Sequence, residues 1–299
     1  MGRPWGPKVS DRPFIRVLVF TGEAPREMQG MMDELLGIED EDFELVVVCN
    51  ATDTGKLVFG PRASIRCFPG ESIFDLRTHM AALSGEARWI VLLEGHNRVP
   101  AGWLSALRRQ LALLPDSCSA LVGDVDNRTS VGLWSWASFI HTFAFHWRPV
   151  PGDRAAYAIA NTALRRALLP AREWRIGEFE VQILPDLMGN AVQAVGLAVD
   201  HVQHRDWIGA TATHWGNGRM TGALMAARHP LGRAAVRRHA WSVAGGRMAS
   251  IKARLESDAA RRDLPPGTLN RVRWLAVSHA AGALWGSLFG PGRSAERLV

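Results

Sequence analysis

Four apolar runs dominate the first hundred residues: Phe14 to Phe20, Phe43 to Val48, Ser64 to Phe68 and Trp89 to Leu93. Each is short enough for a strand, and most are too uniformly apolar for a sheet with one wet face. Between them, Met28, Met31, Met32, Leu35 and Leu36 recur at helical spacing, and a second helical stretch runs from about Ile73 to Leu83. The order β-α-β-β-α-β with buried strands constrains the chain to a mostly parallel sheet covered by helices on its faces. Further strands are expected at Ser119 to Val122 and Ala194 to Val199, and helices near Trp103 to Leu114, Asn161 to Leu168 and Glu178 to Leu187.

The fourth run ends abruptly. Val91-Leu92-Leu93 is followed by Glu94-Gly95-His96, and Pro100 and Gly102 then lead into the amphipathic stretch that starts at Trp103. In an open α/β sheet, ligands bind in the crevice beyond the carboxyl ends of the strands. A carboxylate and an imidazole two residues apart at such an end can hold a divalent cation.

Composition narrows the class. The 299 residues are 47% hydrophobic and can bury a large core, so the chain is globular. The net charge of +6 is carried by arginine, because Lys8, Lys56 and Lys252 are the only lysines. Arginine favours anionic ligands or an anionic membrane surface, and codon bias in a GC-rich genome would produce the same excess. Cys49, Cys67 and Cys118 lie in apolar contexts without metal-ligand spacing and read as reduced core residues. Residues 1–12 read as a tail without the apolar core of a secretory signal, which makes the cytoplasm the expected compartment. Beyond Arg205 arginines far outnumber acids. The last apolar stretch, Trp274 to Phe289, is shorter than the ~20 residues of a bilayer crossing. It could lie in the headgroup region or pack back on the domain.

The order of these signals resembles the family-2 glycosyltransferases of GT-A fold, over nearly the whole chain. Arg16 to Glu23 occupies the place of the family's opening donor-binding loop, with Thr21 and Glu23 at its end. Leu45 to Asp53 stands where the family has paired aspartates, and Asn50 and Asp53 are the residues left to recognise base and ribose. Glu94-Gly95-His96 is similar to the family's Asp-x-Asp metal signature in the Glu-x-His form of one bacterial subgroup. Arg77 falls near a family arginine ahead of the metal strand, although a lone helix arginine is also an ordinary solvated charge.

The resemblance implies further roles. His201 would be a third metal or diphosphate contact, and Arg219 in His214-Trp-Gly-Asn-Gly-Arg219 a diphosphate or lipid contact. Glu180 in Gly177-Glu-Phe-Glu180 would be the general base, with Glu178 and Asp186 as competitors. Asn161, Trp134 and Trp136 would line the acceptor side, Asn161 alternatively capping a helix.

The expected protein is thus an inverting glycosyltransferase with a nucleotide-diphosphate sugar donor and Mn²⁺ or Mg²⁺ as cofactor. Its acceptor would be a hydroxyl, either free or carried on a lipid, in cell-envelope polysaccharide or glycolipid synthesis. A GT-A domain is expected over residues 13–227, followed by a basic helical region over 228–299, with the protein peripheral to the inner membrane face. A relative whose donor site has eroded is the alternative. A nucleic-acid binder is not expected, since no helix-turn-helix, zinc-finger spacing or stacking platform accompanies the charge.

Overall fold

The computed structural model describes residues 15–22, 31, 33–35, 37, 43–50, 63–128, 132–149, 159–228, 238, 246, 248–255, 264–292 and 294. The strands are β1 Ile15–Thr21, β2 Phe43–Cys49, β3 Ala63–Cys67, β4 Trp89–Glu94, β5 Asn97–Arg98, β6 Ala120–Asn127, β7 Thr162–Arg165 and β8 Ala191–His201. They form one sheet in the order β3-β2-β1-β4-β7-β6-β8-β5. The first four strands of that order are mutually parallel. β7 runs antiparallel to both β4 and β6, and β8 is parallel to β6. β1, β2, β4, β6 and β8 therefore end at one edge.

Alternation along the strands feeds two cores. Val17, Val19, Val47, Val91 and Leu93 face one layer, while Leu18, Phe20, Val48, Ile90 and Leu92 face the other. Helices α3 (Trp103–Leu113) and α4 (Leu133–Phe143) supply Leu104, Leu107, Phe139 and Phe143 to the first. The second is covered by Leu76 and Met80 and by Phe179 and Leu184 from the segment ahead of β8.

The stretch expected as one helix from Ile73 is α1 (Ile73–Leu76), a 3₁₀ turn (Arg77–His79) and α2 (Met80–Leu83). Ser72 opens it with a capping box in which Ser72 and Asp75 satisfy each other's backbone N–H groups. The stretch expected near Glu178 to Leu187 begins as a π-turn, Phe179–Ile183, and becomes α-helical in α5, Leu184–Met188.

The helix expected over Asn161 to Leu168 is instead β7 and a 3₁₀ turn, Arg166–Leu168. Asn161 adopts φ 53°, a left-handed conformation that breaks helical propagation and that asparagine tolerates better than most residues. Thr162 to Arg165 then pair with strands on both sides, and that pairing overrides the helix propensity of Ala, Leu and Arg.

A bulge in β8 decides where its end falls. Val122 pairs with Gln193, but Asp124 pairs with Ala198, so β8 absorbs extra residues there. Gly196 sits in the bulge at φ 77°, and its N–H donates to the Asp124 carboxylate at 2.8 Å. Asn161 Nδ2 donates to the Asp124 and Leu197 carbonyls at 2.7 and 2.6 Å, locking the same register.

Helices α6 (Trp207–Arg228) and α7 (Thr268–Phe289) pack side by side in parallel, and α7 also packs on α4. A Cβ placed on Gly218, Gly222, Gly282 or Gly286 would overlap backbone of the facing helix. The pair approaches this closely only because these positions are glycine. Among the described residues no helix is long and apolar enough to cross a membrane.

Two stability measurements test this account. Gly286→Ala should destabilise the fold by about 1–3 kcal/mol, since the added methyl forces the helices apart; urea unfolding monitored by circular dichroism reads it. Burial, with Asp126 adding to it, pushes the Asp124 carboxyl up to about 6 against the opposing Gly196 hydrogen bond. The native state then binds more protons than the unfolded chain below that value, so this group favours folding as pH falls from about 7 towards 5. Asp124→Asn should stabilise the protein at neutral pH by about 1–2 kcal/mol and remove that acid-side gain.

Candidate metal and transfer site

The turn after β4 is built to project side chains beyond the sheet edge. Gly95 N–H donates to the Phe20 carbonyl at 3.2 Å, extending the β1–β4 ladder by one residue. The Asn97 carboxamide oxygen accepts the Glu94 N–H at 2.8 Å, closing the turn. β5 then pairs antiparallel with the end of β8, placing Asn97 opposite His201.

This pairing brings Glu94, His96 and His201 together, with one ligating atom of each within 4.8 Å of the others. His96 Nε2 lies 2.8 Å from His201 Nε2 and 3.3 Å from Glu94 Oε2. His201 is buried, and Phe139 and Phe143 of α4 pack their rings on it with centroids at 5.9 and 4.8 Å.

Burial acts to raise the Glu94 carboxyl, but the hydrogen bond and charge of His96, with His201 and Arg77 behind them, outweigh it and hold it at about 2. Burial and the neighbouring His96 and Arg205 push His201 well below the usual imidazole range, against the opposing pull of Glu94. An ionised carboxylate and a neutral imidazole are the protonation states that a cation requires. Two imidazole nitrogens facing each other across 2.8 Å beside a carboxylate fit a divalent transition metal. This donor set favours Mn²⁺, Co²⁺ or Zn²⁺ over Mg²⁺, which prefers oxygen.

A second pair lies on the other core layer. Arg77 Nη1 donates to Glu180 Oε1 at 2.8 Å, and both side chains are buried. The 3₁₀ turn carries Arg77 and the π-turn carries Glu180, so two departures from regular helix geometry present this ion pair. Glu180 Oε2 is buried without a hydrogen-bond partner and keeps an acceptor lone pair unused. The competing carboxylates are placed differently. Glu178 is clamped by both Arg172 guanidinium nitrogens and the Arg175 N–H, and Asp186 is exposed.

Thr21 ends β1 and Asn50 directly follows β2 at the same sheet edge as Glu94, and Asn50 Nδ2 donates to the Glu71 carbonyl at 3.0 Å. Glu23 and Asp53 lie outside the described residues.

Four expected site residues are used inside the fold. Asn161 is buried; besides its two donated bonds, its Oδ1 accepts the Trp103 indole N–H at 3.2 Å, so its polar atoms hold the β8 bulge rather than facing an acceptor. Arg219 Nε donates to the Gly290 carbonyl at 3.0 Å and so caps the end of α7. The Arg271 guanidinium covers the Trp134 ring at 5.4 Å. Trp136 packs edge-on against Phe139 and Trp147. Phe139 in turn packs on His201.

Sequence reasoning missed Asn97, Phe139 and Phe143. Asn97 had a local signal, since it lies three residues after Glu94 in the same turn. The two phenylalanines had none, because their contact with His201 depends on how α4 docks.

No protein-family model matches the chain, and no curated protein matches it in sequence. A mannosyltransferase from Pyrobaculum calidifontis, solved with GDP-Man and Mn²⁺, superposes with a TM-score of 0.52 at 15% identity, over 95% of this chain and 91% of that one. The chain has the GT-A fold. Glucosyl-3-phosphoglycerate synthase from Mycobacterium tuberculosis, solved with Mn²⁺ and UDP-Glc, gives a TM-score of 0.43 at 14% identity over 69% of this chain and 77% of that one. GalNAc-T7 with UDP, GalNAc and Mn²⁺ gives 0.47 at 12% identity over 66% and 45%.

Calorimetric titration with Mn²⁺ and Co²⁺ tests the cluster. His96→Ala and His201→Ala should each weaken binding by at least the about 10- to 100-fold that loss of a supporting partner costs. Acidification should weaken binding through the imidazoles. With Glu94 held at about 2, its carboxylate stays ionised throughout that range.

Proposed function

We propose that the chain is a metal-dependent glycosyltransferase that moves a sugar from a nucleotide-diphosphate donor to an acceptor hydroxyl with inversion. The observation that carries this reading is the convergence of Glu94, His96 and His201 beyond the carboxyl ends of the strands of a GT-A fold. The order of sequence motifs supports placing it among family-2 enzymes.

In this reading Glu94, His96 and His201 hold the cation, and Thr21 and Asn50 lie on the edge that receives the nucleotide. When bound, a divalent cation neutralises charge that develops on the leaving diphosphate. Arg77 adds a second positive centre near Glu94, whose carboxyl it helps to keep ionised. Glu180 takes the proton of the acceptor hydroxyl at its unpartnered Oε2 as the oxygen attacks the anomeric carbon. The bond to the diphosphate breaks, and the nucleoside diphosphate leaves with that electron pair. The buried Arg77–Glu180 pair keeps the base aimed and excludes water from its other oxygen.

A lipid-linked acceptor of cell-envelope polysaccharide or glycolipid synthesis, met at the inner membrane face, fits the excess of arginine over acidic residues in the sequence that follows residue 205. The expected boundary at residues 227 and 228 falls at the end of α6, which packs along α7, so the helices that would serve that surface begin at Trp207.

A second reading is favoured by Gly95, Cys49 and Asn50, which replace acidic positions of the family pattern. It holds that the chain binds nucleotide sugars without transferring them. Donor hydrolysis with Mn²⁺ separates the two: the parent should turn over a nucleotide sugar and Glu94→Ala should not, whereas equal rates would leave only the binding reading. Glu180→Gln should lower transfer by about 10²- to 10⁴-fold with donor affinity nearly unchanged, measured by kcat alongside equilibrium titration.

A further inference from the structure

The outward face of the α6–α7 pair is apolar where a soluble surface is usually charged. Trp207 and Ile208 on α6, and Trp274, Val277, Trp285 and Phe289 on α7, are 46% to 68% exposed. From Trp274 to Phe289 the only ionisable side chain is His279, whose residue is half-buried. On α7 the exposed positions recur at intervals of three, eight and four residues, which places them along one face. Trp215 and Trp285 lie 6.4 Å apart across the pair, Trp285 touches Phe289 at 4.6 Å, and the Trp274 indole N–H donates to Thr211 Oγ1 at 3.1 Å. The two helices therefore share one continuous aromatic face, and their backbones approach closely at the glycine contacts.

Charge on this pair has a single sign. Across the described side chains of α6 and α7 stand Arg219, Arg271 and Arg273, with no aspartate or glutamate in either helix. Arg273 is exposed beside Trp274 at the start of the stripe.

We propose that this face is the membrane-docking surface of the protein and that its partner is a bilayer rich in anionic headgroups. Tryptophan and phenylalanine side chains enter the interfacial layer while arginine stays with the phosphates. The helices lie in the plane of the interface, since neither crosses it. Charge complementarity favours this occupant over a second copy, which would set arginine against arginine. The face also lies one helix from the candidate site: α7 packs on α4, and α4 packs Phe139 and Phe143 on His201. This inference deepens the lipid-acceptor reading by naming the surface, and its test involves no catalysis, so the two fail separately.

The full chain is floated with vesicles of equal parts phosphatidylcholine and phosphatidylglycerol, and with vesicles of phosphatidylcholine alone. The expected result is flotation with the anionic vesicles and about tenfold or greater loss of partition in Trp274→Ser/Trp285→Ser/Phe289→Ser, whose circular dichroism and melting temperature match the parent. Arg273→Glu, which leaves the apolar stripe whole, should weaken partition severalfold and more at low salt. Three results would overturn the proposal: no flotation of the parent, unchanged flotation of the folded triple variant, or a parent dimer in light scattering that the triple variant converts to a monomer.

Discussion

The metal cluster of the candidate site depends on the pairing of Asn97 with His201 at the far edge of the sheet. β4 and β8 are separated by β7 and β6, so their ends would otherwise be too distant for Glu94, His96 and His201 to share an ion. The two-residue β5 crosses that gap by folding back from β4 and pairing with β8. For the pairing to exist, β8 must reach Asn97 in the correct register, and the bulge at Gly196 adjusts its length against β6. The Asp124 carboxylate and the Asn161 carboxamide, both buried, hold that bulge. A one-residue slip would turn His201 to the opposite face of the sheet.

The protein supports two concentrations of charge by different means. At the cluster, Glu94 stays ionised despite burial because His96, His201 and Arg77 surround it. At Arg77–Glu180, each ion balances the other inside the second core, and each keeps one polar atom unpartnered. Such atoms cost free energy in a folded protein, and they concentrate where a site awaits a ligand or a proton. Arg77 connects the two, since it pairs with Glu180 and also acts on Glu94.

Much of the fold was legible in the chain because buried parallel strands write their own signature. The runs at Phe14, Phe43 and Trp89 became β1, β2 and β4 nearly residue for residue, and the stretch from Trp103 became α3. β7 was illegible: Thr162 to Arg165 carries no alternation, and its strand conformation comes from neighbours distant in sequence. The site was legible where local order encodes it, at Glu94-Gly95-His96, and where a second histidine followed a strand. Asn161 and Arg219 looked like ligand contacts because a polar residue at an element boundary reads the same whether it faces a substrate or ties down a bulge or a helix end.

By itself the sequence determined an α/β protein whose strands are buried on both sides, a carboxylate and an imidazole at one strand end, and a basic, arginine-rich final third. Those properties follow from residue type and spacing, which act over one element at a time. Only the tertiary structure decided that His201 joins that strand end, that Arg77 neutralises Glu180, and that one face of α7 is buried against glycines while the other stays open. Each of these depends on sheet register or helix docking. Those are set by packing among many elements at once, and no local pattern records them.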